Sequence, residues 1–102
     1  MTTWFVTRHP GTLQWMRQYG PAFDCHISHL EPADIQAGDR VIGTLPVHLA
    51  AQVCARNASY WHLVLQLPET ARGRELSLQG LSVSGATLQQ FDVFPRKTKP
   101  AL

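Results

Sequence analysis

The chain has 102 residues, 44% of them hydrophobic and 16% charged, which is the make-up of one small globular domain and excludes a wholly disordered chain or a coiled coil. A formal charge of +2 is too mild for a protein that coats DNA or RNA, although it permits a few arginines around a small anionic ligand. No window approaches the ~20 apolar residues of a membrane helix, and Met1–Val6 lacks the basic n-region of a signal peptide. Cys25 and Cys54 stand outside any C-x-x-C or zinc-ligand spacing and read as small hydrophobes, so the expected location is the cytoplasm and no metal or cofactor is expected.

The first predicted element is a buried strand over Thr3–Thr7, apolar, aromatic and β-branched. Pro10-Gly11 breaks it, and Thr12 is expected to cap a helix running to Tyr19. Thr12, Trp15, Met16 and Tyr19 share one face of that helix by their i, i+3, i+4 and i+7 spacing, and Gly20-Pro21 stops it. A second strand covers about Phe23–Ser28. His29–Asp39 reads as a loop with one helical turn after Pro32, and Arg40–Leu45 as a short buried strand. Pro46 suits the first turn of a helix over Pro46–Arg56, which is apolar almost all round and should be pressed between the sheet and another surface; Asn57 stops it.

Tyr60–Leu67 is the clearest strand. Trp61, Leu63, Leu65 and Leu67 lie on one face, and Tyr60, His62, Val64 and Gln66 on the other. After Pro68 a polar segment, Glu69–Glu75, carries Arg72 and Arg74 around Gly73. Ser77–Gly85 is a weak helix, and Leu88–Phe94 is a last strand near a sheet edge. Residues 1–94 thus form a single domain, with 95–102 a basic, disordered tail.

This alternation predicts an α/β fold: a small, Rossmann-like, three-layer domain around a mostly parallel five-stranded sheet. Such sheets bind ligands outside the carboxyl ends of their strands, near the switch point of the strand order. Reading off those ends gives Thr7-Arg8-His9, Ser28-His29, Gly43-Thr44 and Gln66, followed by Arg72 and Arg74. Most of the candidate chemistry therefore falls on one rim.

Thr7-Arg8-His9-Pro10-Gly11 offers a hydroxyl, a forked phosphate donor and a group that titrates near neutral pH, with Gly11 letting an anion approach the helix start. An ordinary exposed turn is the alternative. Pro10 interrupts any match to the R-H-G motif of histidine phosphatases, and no second catalytic histidine is found. Gly43-Thr44-Leu45-Pro46 either holds a phosphate or ribose against a helix start or is a tight turn whose glycine serves packing. Arg72-Gly73-Arg74-Glu75 is either a lid over a polyanion or a solvated loop. His29 and His48 lie near the rim, His48 reading as an exposed helix residue, whereas His26 and His62 read as structural.

On three segments the chain resembles a family of small stand-alone accessory proteins of type III CRISPR systems, related to the CRISPR-associated Rossmann-fold domains. These are Trp4-Phe5-Val6-Thr7-Arg8-His9-Pro10-Gly11, Asp39-Arg40-Val41-Ile42-Gly43-Thr44-Leu45-Pro46 and Ala71-Arg72-Gly73-Arg74-Glu75-Leu76. The resemblance implies a dimeric protein that binds cyclic oligoadenylate, most simply cyclic tetra-adenylate, and opens the ring as a ring nuclease.

The residue roles come from the fold argument. His9 serves as acid or base, Arg8 and Arg72 stabilise phosphate, and Thr7 and Thr44 position the ligand; Gly11, Gly43, Arg74 and His29 complete the binding set. The catalytic set is His9, Arg8 and Thr7, acting without metal through attack of a ribose 2′-hydroxyl on its neighbouring phosphate. Low charge and three tryptophans also point to a covered apolar surface, most simply a homodimer. A binder that sequesters the ring without cutting it, and a module that regulates another CRISPR protein, remain the alternatives.

Overall fold

A computed structural model describes residues 1–64 and 86–96. In chain order the elements are β1 (Thr3–Val6), α1 (Pro10–Tyr19), β2 (Cys25–Ile27), a 3-10 turn (Pro32–Asp34), β3 (Arg40–Gly43), α2 (Val47–Ala55), β4 (Ser59–Val64) and β5 (Thr87–Phe91). The five strands form one sheet in the order β2-β1-β3-β4-β5. The β1–β2, β1–β3 and β3–β4 pairs are parallel, and β5 adds to β4 antiparallel as an edge strand.

Among the described residues one helix covers each face of this sheet. On one side Trp15 and Met16 of α1 pack with Phe5, Ile42 and Leu63. On the other, Ala50, Val53 and Cys54 of α2 pack with Val6, Val41 and Tyr60, and Ile35 from the loop joins them. The alternation along each strand produces this division, because neighbouring residues point to opposite faces. Phe5, Met16, Ile35, Val41, Ile42 and Val53 are all at least 98% buried. Full burial of such side chains contributes about 1.5–3 kcal/mol each before the cost of ordering the chain.

The amino ends of the strands are tied together by carboxylates. Asp39 Oδ1 accepts from Thr2 N–H at 2.9 Å, and Oδ2 accepts from Gln36 N–H at 3.0 Å and the Trp4 indole N–H at 3.1 Å. Asp24 Oδ2 accepts from Thr3 N–H at 2.8 Å. Burial by itself would raise the Asp39 carboxyl. The three N–H donors and the nearby amino terminus outweigh it and hold the group below its usual range.

Several local expectations are corrected. Thr12 does not cap α1: the helix begins at Pro10, His9 occupies the cap position, and no side chain bonds there. Proline's fixed φ suits the first helical residue, so Pro10 starts the helix rather than separating it from the strand. Tyr19 does not share the buried face, which is Gly11, Trp15 and Met16; it is 57% exposed, with its ring beside Trp15 at the helix end. The strands β2 and β3 are shorter than expected, ending at Ile27 and Gly43. Pro46 caps α2 rather than entering it. Within the single chain the outer side of α2, with Val47 and Gln52, is exposed.

Other expectations hold. Pro32–Asp34 is the helical turn within the loop. Asn57 stops α2 at a left-handed φ of 62°, a conformation asparagine tolerates better than most residues. The last strand lies at the sheet edge. Leu65–Leu67, the Arg72-Gly73-Arg74 segment, the Ser77–Gly85 helix and residues 97–102 lie outside the described residues.

Candidate ligand site at the carboxyl rim

The chain leaves β1 to build outward on one side through β2, and later leaves β3 to build outward on the other through β4. Between those departures, at the carboxyl ends of β1 and β3, lies a cavity of about 220 Å³. Three turns wall it: Thr7, Arg8 and His9 after β1, Ser28, His29 and Leu30 after β2, and Thr44, Leu45 and Pro46 after β3. Val6 and Leu49 form an apolar floor, and no Asp or Glu lines it among the described residues. Arg8 therefore contributes its charge without a carboxylate in the wall to neutralise it, which favours an anionic occupant.

Each turn has a physical reason for its shape. Thr7 N–H donates to Ile27 O at 3.0 Å, extending the β1–β2 ladder by one residue. The Thr7 hydroxyl accepts from His9 N–H at 3.2 Å, so its own hydrogen remains available to another acceptor. His26 Nε2 lies 3.0 Å from Thr7 O, tying the same turn to β2. Both helices begin beside the cavity, since His9 precedes α1 and Pro46 precedes α2. Their first-turn N–H groups lack intrahelical partners, and the helix dipoles favour negative charge at that end.

The β3 turn is held from β4. Tyr60, 2% exposed, sends its hydroxyl to the Gly43-Thr44-Leu45 segment. The hydroxyl accepts from Leu45 N–H at 2.8 Å, lies 3.3 Å from Gly43 O, and approaches His62 Nδ1 at 2.6 Å. Burial pushes the Tyr60 phenol up, so it stays protonated and keeps a hydrogen to donate.

The sequence-derived residues divide into three groups. Thr7, Arg8, His9, His29 and Thr44 come together around the cavity. Gly11 and Gly43 are both buried and neither is in its wall. A Cβ at Gly43 would lie 2.8 Å from Val6 O, so this glycine lets β1 and β3 approach closely, as the packing alternative for that turn required. Arg72 and Arg74 lie outside the described residues. His26 and His62, expected to be structural, contact Thr7 O and the Tyr60 hydroxyl, respectively. Ser28 had a place on the rim but none among the candidate ligands. Tyr60 was missed altogether, because its hydroxyl acts on residues 15 and 17 positions away.

The architecture is thus a small α/β domain with a cavity, lined in part by Arg8, His9 and His29, where the strand order reverses. Residues 4–94 match the family described as "Putative CRISPR-associated protein (Cas_VVA1548)", and the chain belongs to that CRISPR-associated family. No curated protein and no solved structure matches the chain.

Among the described residues no helix is long and apolar enough to cross a membrane.

Proposed function

We propose that this protein is a CRISPR accessory ring nuclease that binds cyclic oligoadenylate, most simply cyclic tetra-adenylate, at the carboxyl rim of a Rossmann-like domain and opens the ring in the cytoplasm. One observation carries the reading: three separate turns bring Thr7, Arg8, His9, Ser28, His29 and Thr44 around one cavity at the switch point that no carboxylate lines among the described residues. Membership of a CRISPR-associated family supports the choice of ligand.

The chemistry follows from the groups present. Arg8 is permanently charged and can fork onto a phosphate. A ribose 2′-hydroxyl attacks the adjacent phosphorus, forming a 2′-O–P bond while the P–O5′ bond breaks. The 2′ proton passes to a base, and the departing 5′ oxygen gains one. His9 serves this transfer, with His29 across the cavity, while Thr7 and Thr44 fix the phosphate in line. The route uses side chains alone and proceeds without metal.

Cavity size bears on assembly. About 220 Å³ is below the roughly 300–1,000 Å³ of pockets that enclose a drug-sized ligand. One cavity suits a phosphate and ribose, and a four-phosphate ring with two-fold symmetry would span two copies related by a dimer axis.

The test is to incubate pure protein with cyclic tetra-adenylate in EDTA and separate the products by chromatography. Linear oligoadenylate is the expected result. A ring that stays bound and intact would instead establish the sequestering reading, and a ring that does not bind would leave the interaction module.

A further inference from the structure

The three contacts of the Tyr60 hydroxyl fix more than its own position. A phenol has one hydrogen to give and two lone pairs to receive. Leu45 N–H, at 2.8 Å, takes one lone pair. Gly43 O, at 3.3 Å, can only accept, so a bond there requires the phenolic hydrogen. His62 Nδ1, at 2.6 Å, then meets the second lone pair when its ring carries the hydrogen on Nδ1. With that assignment every contact is a bond and the capacity of the hydroxyl is filled. If the phenol instead donated to His62, the Gly43 carbonyl would lose its share.

The surroundings hold this pair in place. The His62 ring stands edge-on to Tyr60 at 5.8 Å and to Phe91 of β5 at 6.0 Å, wedged between its own strand and the sheet edge. Tyr60 lies within the core that α2 packs against. Neither residue lines the cavity, whereas Thr44 and Leu45 do, and Tyr60 holds the turn on either side of Thr44 through Gly43 O and Leu45 N–H.

We infer that Tyr60 and His62 form a positioning pair, with His62 Nδ1–H donating to the Tyr60 hydroxyl, that locks the Gly43-Thr44-Leu45 turn and so presents Thr44 to the ligand. The effect on ligand rests on the proposed function; the lock itself does not. Tyr60→Phe keeps the ring but leaves Leu45 N–H without its acceptor. His62→Leu removes the donor, and His62→Asn returns a donor near the place of Nδ1.

The lock is tested first on the free protein by NMR. The His62 ring is expected to carry its hydrogen on Nδ1, and Leu45 amide exchange is expected to quicken at least tenfold in Tyr60→Phe. A bare Nδ1, or unchanged Leu45 exchange, would overturn the pair as described.

Binding of cyclic tetra-adenylate is measured next. Tyr60→Phe and His62→Leu are each expected to bind about tenfold more weakly, the order expected from one lost buried hydrogen bond. The double variant is expected to be no weaker than either single one, since both remove one node. His62→Asn is expected to recover most of the affinity. Val53→Ala destabilises the α2 core without touching the node, and is expected to bind normally while folded. Wild-type binding by Tyr60→Phe, additive losses in the double variant, or an equal loss in Val53→Ala would each overturn the positioning role. If wild type itself binds no ring, the proposed function fails, and the NMR measurements still decide the lock.

Discussion

The two ends of the sheet use polar residues in opposite ways. At the amino ends Asp39, 5% exposed, spends both carboxylate oxygens on three N–H donors, and Asp24 takes a fourth. At the carboxyl ends Arg8, His9, Ser28, His29 and Thr44 are all exposed around an open cavity. Polar groups saturated by the backbone hold a fold together, whereas polar groups exposed on turns around a cavity can meet a ligand. Under the proposed function the amino end supplies stability and the carboxyl end supplies chemistry, and substitutions at each end should separate the two.

The largest effect is expected at the rim. His9→Ala should slow the chemical step by about 10²–10⁴-fold in single-turnover cleavage of cyclic tetra-adenylate while leaving equilibrium binding nearly intact. Wild-type cleavage by His9→Ala would remove it from the catalytic set and shift attention to His29. Arg8→Ala should weaken binding by about 10–100-fold, because a hydrogen bond to a charged group contributes roughly 1.5–3 kcal/mol. Titration calorimetry reads that loss directly, and thermal unfolding should show almost no change, Arg8 being exposed.

The amino end should behave in reverse. Asp39→Asn puts an NH₂ against one or two of these N–H donors, and should cost about 2–3 kcal/mol in denaturant unfolding. The affinity of the folded fraction for ligand should be unchanged. Asp39 also predicts the acid behaviour of the fold. Its folded pKa lies below the unfolded value, so its contribution is complete above the unfolded value and disappears as pH falls through the folded one. The midpoint of urea unfolding, followed from neutral pH into the acid range, should fall more steeply for wild type than for Asp39→Asn.

Gly43→Ala sits between the two regimes. Its added methyl group meets Val6 O at 2.8 Å, forcing β1 and β3 apart beneath the cavity. Unfolding should show a loss of about 1–3 kcal/mol, the cost of overpacking, and ligand affinity should fall with it. A variant as stable as wild type would mean that the strands yield there without strain.

Much of this division was legible before any coordinates. The alternation of buried strands with helices fixes which turns share an edge of a parallel sheet, so Thr7, Arg8, His9, His29 and Thr44 could be placed on one rim from their positions after strands. The bland reading of His26 and His62 was equally available, since both fall inside strands. What could not be read were partnerships across the chain. Asp39 meets Thr2 from 37 positions away, and Tyr60 reaches Gly43 across 17; nothing in the local pattern marks either pair. The start of α1 was misplaced for a local reason, because Pro10 can both end a strand and open a helix, and only the backbone decides. Residue patterning marked the last strand as an edge strand but carried no sign of its antiparallel direction.

The contrast between the ends is tested most directly by NMR titration of the protein with cyclic tetra-adenylate in EDTA, at a pH and temperature where cleavage is slow. The amide signals of Thr7, Arg8, His9, Ser28, His29, Thr44 and Leu45 should move together and saturate at one affinity, while those of Thr2, Thr3, Asp24 and Asp39 stay in place. Shifts concentrated at the amino ends, or scattered over the surface without saturation, would contradict the assignment of the carboxyl rim as the ligand site.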